Sequence, residues 1–395
     1  MINLWFNRRK VHSHLYDERG VRMAEQEMTY AGVGVDYDAM DPFKRLAQLA
    51  GRKTSDNLRR FGFWEFEASR GESAYLIETP TNFLAHVEEG LGTKNLAADL
   101  WRRVDRSYYD WLAQDTVAMI VNDMITVGAL PLSTAMHLAV GDSDWFSDEK
   151  RSQDLVEGWE FACRLARCAW GGGETPTLRD VVFPNAVVLS GSAIGMVDPK
   201  SNLIDPMNIR AGDAILLFAS SGIHANGLTM ARKIGHRVGY SARLSDGDIY
   251  GEALLAPTKI YVPLIEGCQK AGVRIHYAVN ITGHGWRKLM RAPQPFSYII
   301  ETLPRQQPLF GFLQKHGPIT DREAYGNLNM GAGFAIYVTP DDVPLVQSVC
   351  DKYNAEVPTN AFVMTWAGHI EPGVEKRVVI VPKGIEFKGE ELKVR

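Results

Sequence analysis

A chain of 395 residues, 45% hydrophobic and 23% charged, is long enough for two hydrophobic cores and too apolar to remain disordered. Its formal net charge of −4 lacks the basic footprint of a nucleic-acid binder, so nucleic acid is not expected as a partner. Four cysteines (Cys163, Cys168, Cys268, Cys350) are too few for a disulfide framework and fit no zinc spacing; they read as reduced core thiols of a cytoplasmic protein.

Residues 1–28 are polar and mixed in charge and read as an N-terminal extension. The cluster Arg8-Arg9-Lys10 has no apolar run after it, so no signal peptide is expected, and no run of about 18 apolar residues marks a membrane span. From Tyr30 to Ala39 the chain is small, Gly-rich and acidic. It reads either as an extended arm near a ligand or as a plain lead-in. Pro42 to Ala50 reads as a short helix capped by Asp41, with the proline in its first turn. Strands are expected over 74–79 and 82–87.

Glu88-Glu89-Gly90-Leu91-Gly92-Thr93-Lys94 follows, a turn before a helix at 95–101. Glycines admit a phosphate close to the backbone, helix-opening N–H groups attract anions, and carboxylates hold Mg²⁺. The same seven residues also fit an ordinary turn with solvated charges. Residues 115–129 carry Val117, Ile120, Val121, Met124 and Val127 on one stripe, a buried helix with Asp115 near its start and Gly128 at its stop. Asn122 and Asp123 are polar in an apolar helix; they face either water or a ligand.

A strand at 132–140, an acidic loop at 142–154 and a helix from Leu155 to Trp170 come next. The helix ends at Gly171-Gly172-Gly173-Glu174-Thr175, a second loop suited to close backbone approach, before a strand at 186–197. Turn-forming residues over 198–213 mark a boundary. The strand 214–219 then runs into Ser220-Ser221-Gly222-Ile223-His224-Ala225-Asn226-Gly227 and a helix at 228–234, a third anion-friendly turn. His224 reads as either structural or catalytic. A Pro-started helix spans 254–271, a fourth Gly turn 280–286, and a Gly-rich strand 331–338. A helix at 341–353 and strands at 361–370 and 378–381 close the chain. No Walker A, dinucleotide-fold, nucleophile-elbow or zinc-protease motif occurs.

Taken in order, these turns resemble the phosphoribosylformylglycinamidine cyclo-ligase family, also called aminoimidazole ribonucleotide synthetase. Gly90 to Lys94 resembles its G-V-G-T-K, Asp115 to Asp123 its D-L-V-A-M-x-V-N-D, and Gly172 to Thr175 its G-G-E-T. Ser220 to Gly227 resembles S-S-G-x-H-S-N-G, Ala256 to Val262 A-P-T-x-I-Y-V, and Asn329 to Gly333 N-x-G-x-G.

The resemblance implies an α/β (α+β) chain of two domains, 29–200 and 211–395, with a homodimer made through the N-terminal sheets. It implies ATP and Mg²⁺ as cofactors and a small-molecule nucleotide as substrate. Its expected site residues are Lys94, His224 and Asn280 in catalysis. Gly90, Gly92, Thr93, Lys94, Asn122, Asp123, Gly172, Gly173, Ser221 and Asn226 are expected at the nucleotide, and Glu89, Asp115 and Glu174 at the metal. The chain departs from the family where Glu88-Glu89 replaces Thr-Asp, where Pro176 to Asp180 replaces A-E-M-P-G, and where Asn280 replaces a His while His284 appears. Those changes leave two further readings open: a relative with another substrate, or a nucleotide-binding paralogue without catalysis.

Overall fold

The computed structural model describes residues 28–392; residues 1–27 of the predicted extension lie outside them. The first sheet comprises β1 (Trp64–Glu65), β2 (Tyr75–Glu78), β3 (Phe83–Gly90), β4 (Leu130–Val140), β5 (Ala169–Glu174) and β6 (Val187–Val197), in the order β1-β2-β3-β6-β4-β5. Its pairings are antiparallel except β4 with β5. Period-two alternation decides which side faces the core: Phe83, Ala85 and Val87 are buried while His86 and Glu88 are exposed. Helices α1 (Tyr37–Arg52), α2 (Lys94–Trp101), α3 (Tyr109–Met124) and α4 (Glu149–Leu165) accompany this sheet. Every residue of α3 from Leu112 to Met124 is buried. The helix lies against the inner face so closely that a Cβ on Gly195 of β6 would stand 2.2 Å from Met124 Sδ.

Several local expectations change. Pro42 lies inside α1, not in its first turn, and the arm 30–39 forms the turn Ala31–Val33 and the start of α1. Helix α3 begins at Tyr109, so Asp115 sits in mid-helix, beyond the reach of the N-terminal dipole. The acidic stretch 142–154 contains the 3-10 turn Ser143–Ser147 and the first residues of α4, where Asp148 caps Arg151 N–H at 3.0 Å. The helix predicted through Trp170 stops at Leu165, and the three glycines that follow form strand β5 alongside β4.

After 3-10 turns at Lys200–Asn202 and Pro206–Asn208 the chain builds a second sheet. Its strands are β7 (Ala214–Ala219), β8 (Tyr277–Asn280), β9 (Phe296–Ile300), β10 (Ala332–Val338), β11 (Met364–Pro372), β12 (Arg377–Ile380) and β13 (Ile385–Lys388), ordered β13-β12-β9-β11-β7-β10-β8. Strands β7 and β10 are covered on both faces, which is why both read as near-continuous apolar runs. Ile215, Leu216, Leu217 and Phe218 are each fully buried, a contribution of roughly 1.5–3 kcal/mol apiece. Helix α5 (Leu228–Val238) follows the Ser-rich turn. The helix predicted over 254–271 is confined to Val262–Lys270, with Pro263 in its first turn. Residues 256–261 stay outside the helix, and their backbone groups bond to side chains of α3 instead of to one another. Among the described residues no helix is long and apolar enough to cross a membrane.

Candidate active site

The polar residues of α3 are explained by what lies across the seam between the two sheets. Gln114 Nε2 donates to Thr258 O at 2.9 Å, and Asp115 Oδ1 accepts from Thr258 N–H at 2.9 Å and from the Thr258 hydroxyl. Asn122 Nδ2 donates to Lys259 O at 2.8 Å while its Oδ1 accepts from Tyr261 N–H at 2.9 Å. Asp123 Oδ1 accepts from Asn280 Nδ2 at 2.7 Å. One helix face thus staples residues 258–261 and strand β8 of the second half to the first.

Lys94 opens α2 and is fully buried, with its ammonium 2.9 and 2.7 Å from the two Asp115 oxygens and 2.8 Å from Ala256 O. Burial pushes the Lys94 ammonium down and the Asp115 carboxyl up, and each is opposed by the charge and hydrogen bonds of the other. With donors from Lys94 and Thr258 on Asp115, the two form an enclosed ion pair. In this structure Lys94, Asp115 and Asn122, expected at phosphate, metal and nucleotide, are bonded to one another or to residues 256–261 across the seam.

A different group remains open to chemistry. The pleat of β3 sends Glu88 outward and turns Glu89 into the seam beside Asp123. Burial, then the charge of Asp123, raises the Glu89 carboxyl to about 7; Lys288, the N–H of Gly90 and Arg291 pull it back. Lys288 Nζ donates to Asn280 O at 3.2 Å and to the Thr282 hydroxyl. Burial brings its ammonium down to about 8 against the upward pull of Asp123 and Glu89. Arg291 spans the same seam, donating to Gly71 O at 2.6 and 3.0 Å and to Ser73 Oγ at 2.7 Å. Two carboxylates that repel one another next to an ammonium fit a divalent cation shared with phosphate oxygens. Among the described residues no three His, Cys, Asp or Glu side chains gather at one point, so Glu89, Asp115 and Glu174 do not form a triad. Asp115 is in its ion pair, and Glu174 lies on the exposed edge strand.

The remaining expected residues fall into two places. Gly92, at φ 73°, turns the chain into α2, and Thr93 Oγ1 lies 3.4 Å from Thr229 Oγ1 in the first turn of α5. Gly90 to Lys94 therefore abuts the turn at 220–227. There, His224 holds φ 59° and its Nε2 accepts the Ser221 N–H at 3.2 Å, while the Ser221 hydroxyl donates to Pro257 O. Burial, then the charges of Lys94 and Lys259, lowers His224 to about 3, so it is neutral at pH 7. Asn226 Nδ2 meets Met119 Sδ at 3.9 Å. Gly172, Gly173 and Glu174 line an open groove of about 390 Å³ with Met136, Trp170 and Thr175.

Sequence reasoning missed Thr258 as the partner of Asp115, and it missed Lys288 and Arg291 altogether. Thr258 stood inside a quoted motif; Lys288 and Arg291 had a weaker signal, two cations just after the turn at 280–286.

Comparison with known proteins agrees with this geometry. Residues 71–197 match the family described as AIR synthase related protein, N-terminal domain, and residues 210–358 its C-terminal domain. A phosphoribosylformylglycinamidine cyclo-ligase of Carboxydothermus hydrogenoformans is 33% identical over 378 residues, 90% of this chain and 99% of that protein. One from Methanocaldococcus jannaschii is 30% identical over 333 residues, 83% and 89% of the two chains. Among solved structures, a HypE–HypF complex superposes with a TM-score of 0.57 at 16% identity, covering 82% of this chain and 94% of that one, a likeness of fold.

Proposed function

The chain belongs to the AIR synthase related family, and on that premise we propose that it is a phosphoribosylformylglycinamidine cyclo-ligase of purine biosynthesis. It converts formylglycinamidine ribonucleotide and ATP to aminoimidazole ribonucleotide, ADP and phosphate. The γ-phosphoryl group of ATP goes to the amide-type oxygen, a substrate nitrogen attacks that carbon to close the imidazole ring, and the oxygen leaves as phosphate. The observation that carries the reading is the half-buried Glu89 beside buried Asp123 and Lys288 at the seam, in a chain whose relatives of that name match over most of their length.

In this reading Glu89 and Asp123 would hold Mg²⁺, which would supply positive charge to offset that of the phosphates. Asn280 fixes the Asp123 carboxylate by its 2.7 Å hydrogen bond. Lys288 presents an ammonium to the phosphate, a positioned charge that acts where negative charge develops. The backbones of Gly90 and Gly92, with Ser221 and Asn226, serve the nucleotide at the seam, and Gly172, Gly173 and Glu174 offer a second, separate groove on β5. The protein works as a cytoplasmic homodimer. Leu132, Val188 and Ile194, exposed on the outer face of the first sheet, support that assembly.

One observation favours a second reading, a relative acting on another substrate. Asn280 stands where the family carries a histidine and is bound to Asp123, so this position offers no proton transfer near pH 7. A single assay separates the two. Incubation with ATP, Mg²⁺ and formylglycinamidine ribonucleotide should yield ADP and aminoimidazole ribonucleotide in equal amounts. ATP consumed without that product would transfer the assignment to the second reading.

A further inference from the structure

Helix α4 ends in a backbone closure that brings two cysteines together. Arg167, with φ 56°, follows the cap residue Ala166; its N–H bonds to Arg164 O at 3.1 Å, and Cys168 N–H bonds to Cys163 O at 3.0 Å. This pair of bonds defines the Schellman ending, in which the side chain two positions past the cap folds onto the one three positions before it. Those side chains are Cys168 and Cys163. Both are free thiols, and Thr134 Oγ1 of β4 is 3.3 Å from Cys163 Sγ. A disulfide needs α-carbons about 4.4–6.8 Å apart, and the 3.0 Å bond from Cys168 N–H to Cys163 O draws the two backbones together. Cys163 is buried and Cys168 half-buried, so Cys168 is the more accessible of the pair. Cys268 and Cys350 are wholly enclosed.

From this placement we propose that Cys163 and Cys168 are a modifiable thiol pair that closes an intramolecular disulfide by exchange with a small-molecule disulfide. The thiolate of Cys168 attacks one sulfur of the reagent, forming a mixed disulfide and releasing one small thiolate. Cys163 then attacks the Cys168 sulfur, closing the bridge and releasing the second. The two cysteine thiols are oxidised, the reagent disulfide is reduced to two thiols, and the two protons lost by the cysteines end on them. Contact between the two lowers the Cys163 thiol and raises that of Cys168, so Cys168 is the entry sulfur by its access to solvent and not by acidity, and the Cys163 thiolate is favoured for the resolving step. Cys168 directly precedes β5, and Thr134, which touches Cys163, is the register partner of Trp170. The bridge therefore ties down the start of the strand whose far end carries Glu174.

The test is exposure of the folded, full-length protein to oxidised glutathione. The intact mass should fall by two hydrogens, and peptide mapping should find Cys163 joined to Cys168 with Cys268 and Cys350 still alkylatable after unfolding. Amide exchange across 169–174 should change on oxidation and revert with dithiothreitol. Cys163→Ser should accumulate a glutathione adduct on Cys168, since nothing resolves it. A wild-type protein that keeps both thiols free, or that retains a stable adduct on Cys168, overturns the proposal. So does a Cys163→Ser protein that takes up no glutathione. If that variant fails to fold, the wild-type peptide map still decides.

Discussion

Adjacent carboxylates on a strand have opposite fates, and Glu88 and Glu89 differ by that alone. Glu88 is solvated on the outer face, whereas Glu89 shares a buried space with Asp123 and is held up to about 7. Glu89→Gln removes the charge and keeps the shape. It should lower turnover by about 10²–10³-fold, by analogy with the loss when one preorganised oxyanion-hole donor is removed from an acyl-transfer enzyme. The fold should not suffer, because a repulsion with Asp123 is relieved. Glu88→Gln should leave turnover within roughly twofold, because Glu88 points to the outer face of the sheet, away from the seam. Steady-state ADP release and urea midpoints for both variants check the pair. Equal losses in the two would remove Glu89 from the proposed site.

At the scale of elements, α3 and the segment 256–261 form one clasp. Lys94→Met leaves Asp115 buried without its cation, and breaking a buried pair from one side costs about 3–5 kcal/mol. The double variant Lys94→Met/Asp115→Leu removes both charges and should recover much of that loss, the remainder coming from the unpaired Thr258 donors. Urea denaturation of the two variants measures it; a double variant no better than Lys94→Met would mean that the pair is not the clasp. This clasp also shows what the chain revealed before its structure. Strands β3, β4, β6, β7 and β10 were legible because alternation or a continuous apolar run is written in local sequence. Strand β5 was not: three glycines read as a loop, and the strand exists because β4 supplies its partner. The short helices Pro308–His316 and Asp321–Asn327 also passed unnoticed. In the site, Glu89 was visible from its glycine turn. Asp115 was expected at the metal only through the family resemblance, and the residue that bonds it here, Thr258, is distant in sequence.

The whole molecule depends on a seam that buries ionisable groups from both halves. Lys94, Lys259, Lys288, His224 and His284 all have their charged forms disfavoured there by burial. For His224 the consequence is a pH-dependent stability with a definite sign. Its folded pKa, about 3, lies below the unfolded value of about 6.5. As pH falls below that unfolded value the unfolded chain takes up a proton that the folded one refuses, so stability is lost between roughly pH 6.5 and 3. By pH 5 the loss is about 2 kcal/mol from this residue. His284, lowered to about 2, acts in the same direction, while Glu89, raised to about 7, gains stability as it takes up its proton below that pH and offsets part of the effect. A comparison with His224→Asn isolates the one group, and asparagine is tolerated at the left-handed backbone there. Between pH 7.5 and 5 the unmodified protein should lose about 2 kcal/mol more than His224→Asn in urea unfolding followed by tryptophan fluorescence. Parallel losses would mean that His224 is already protonated in the folded state. Its Nε2 would then be a donor, and the hydrogen bond it accepts from Ser221 N–H would not form.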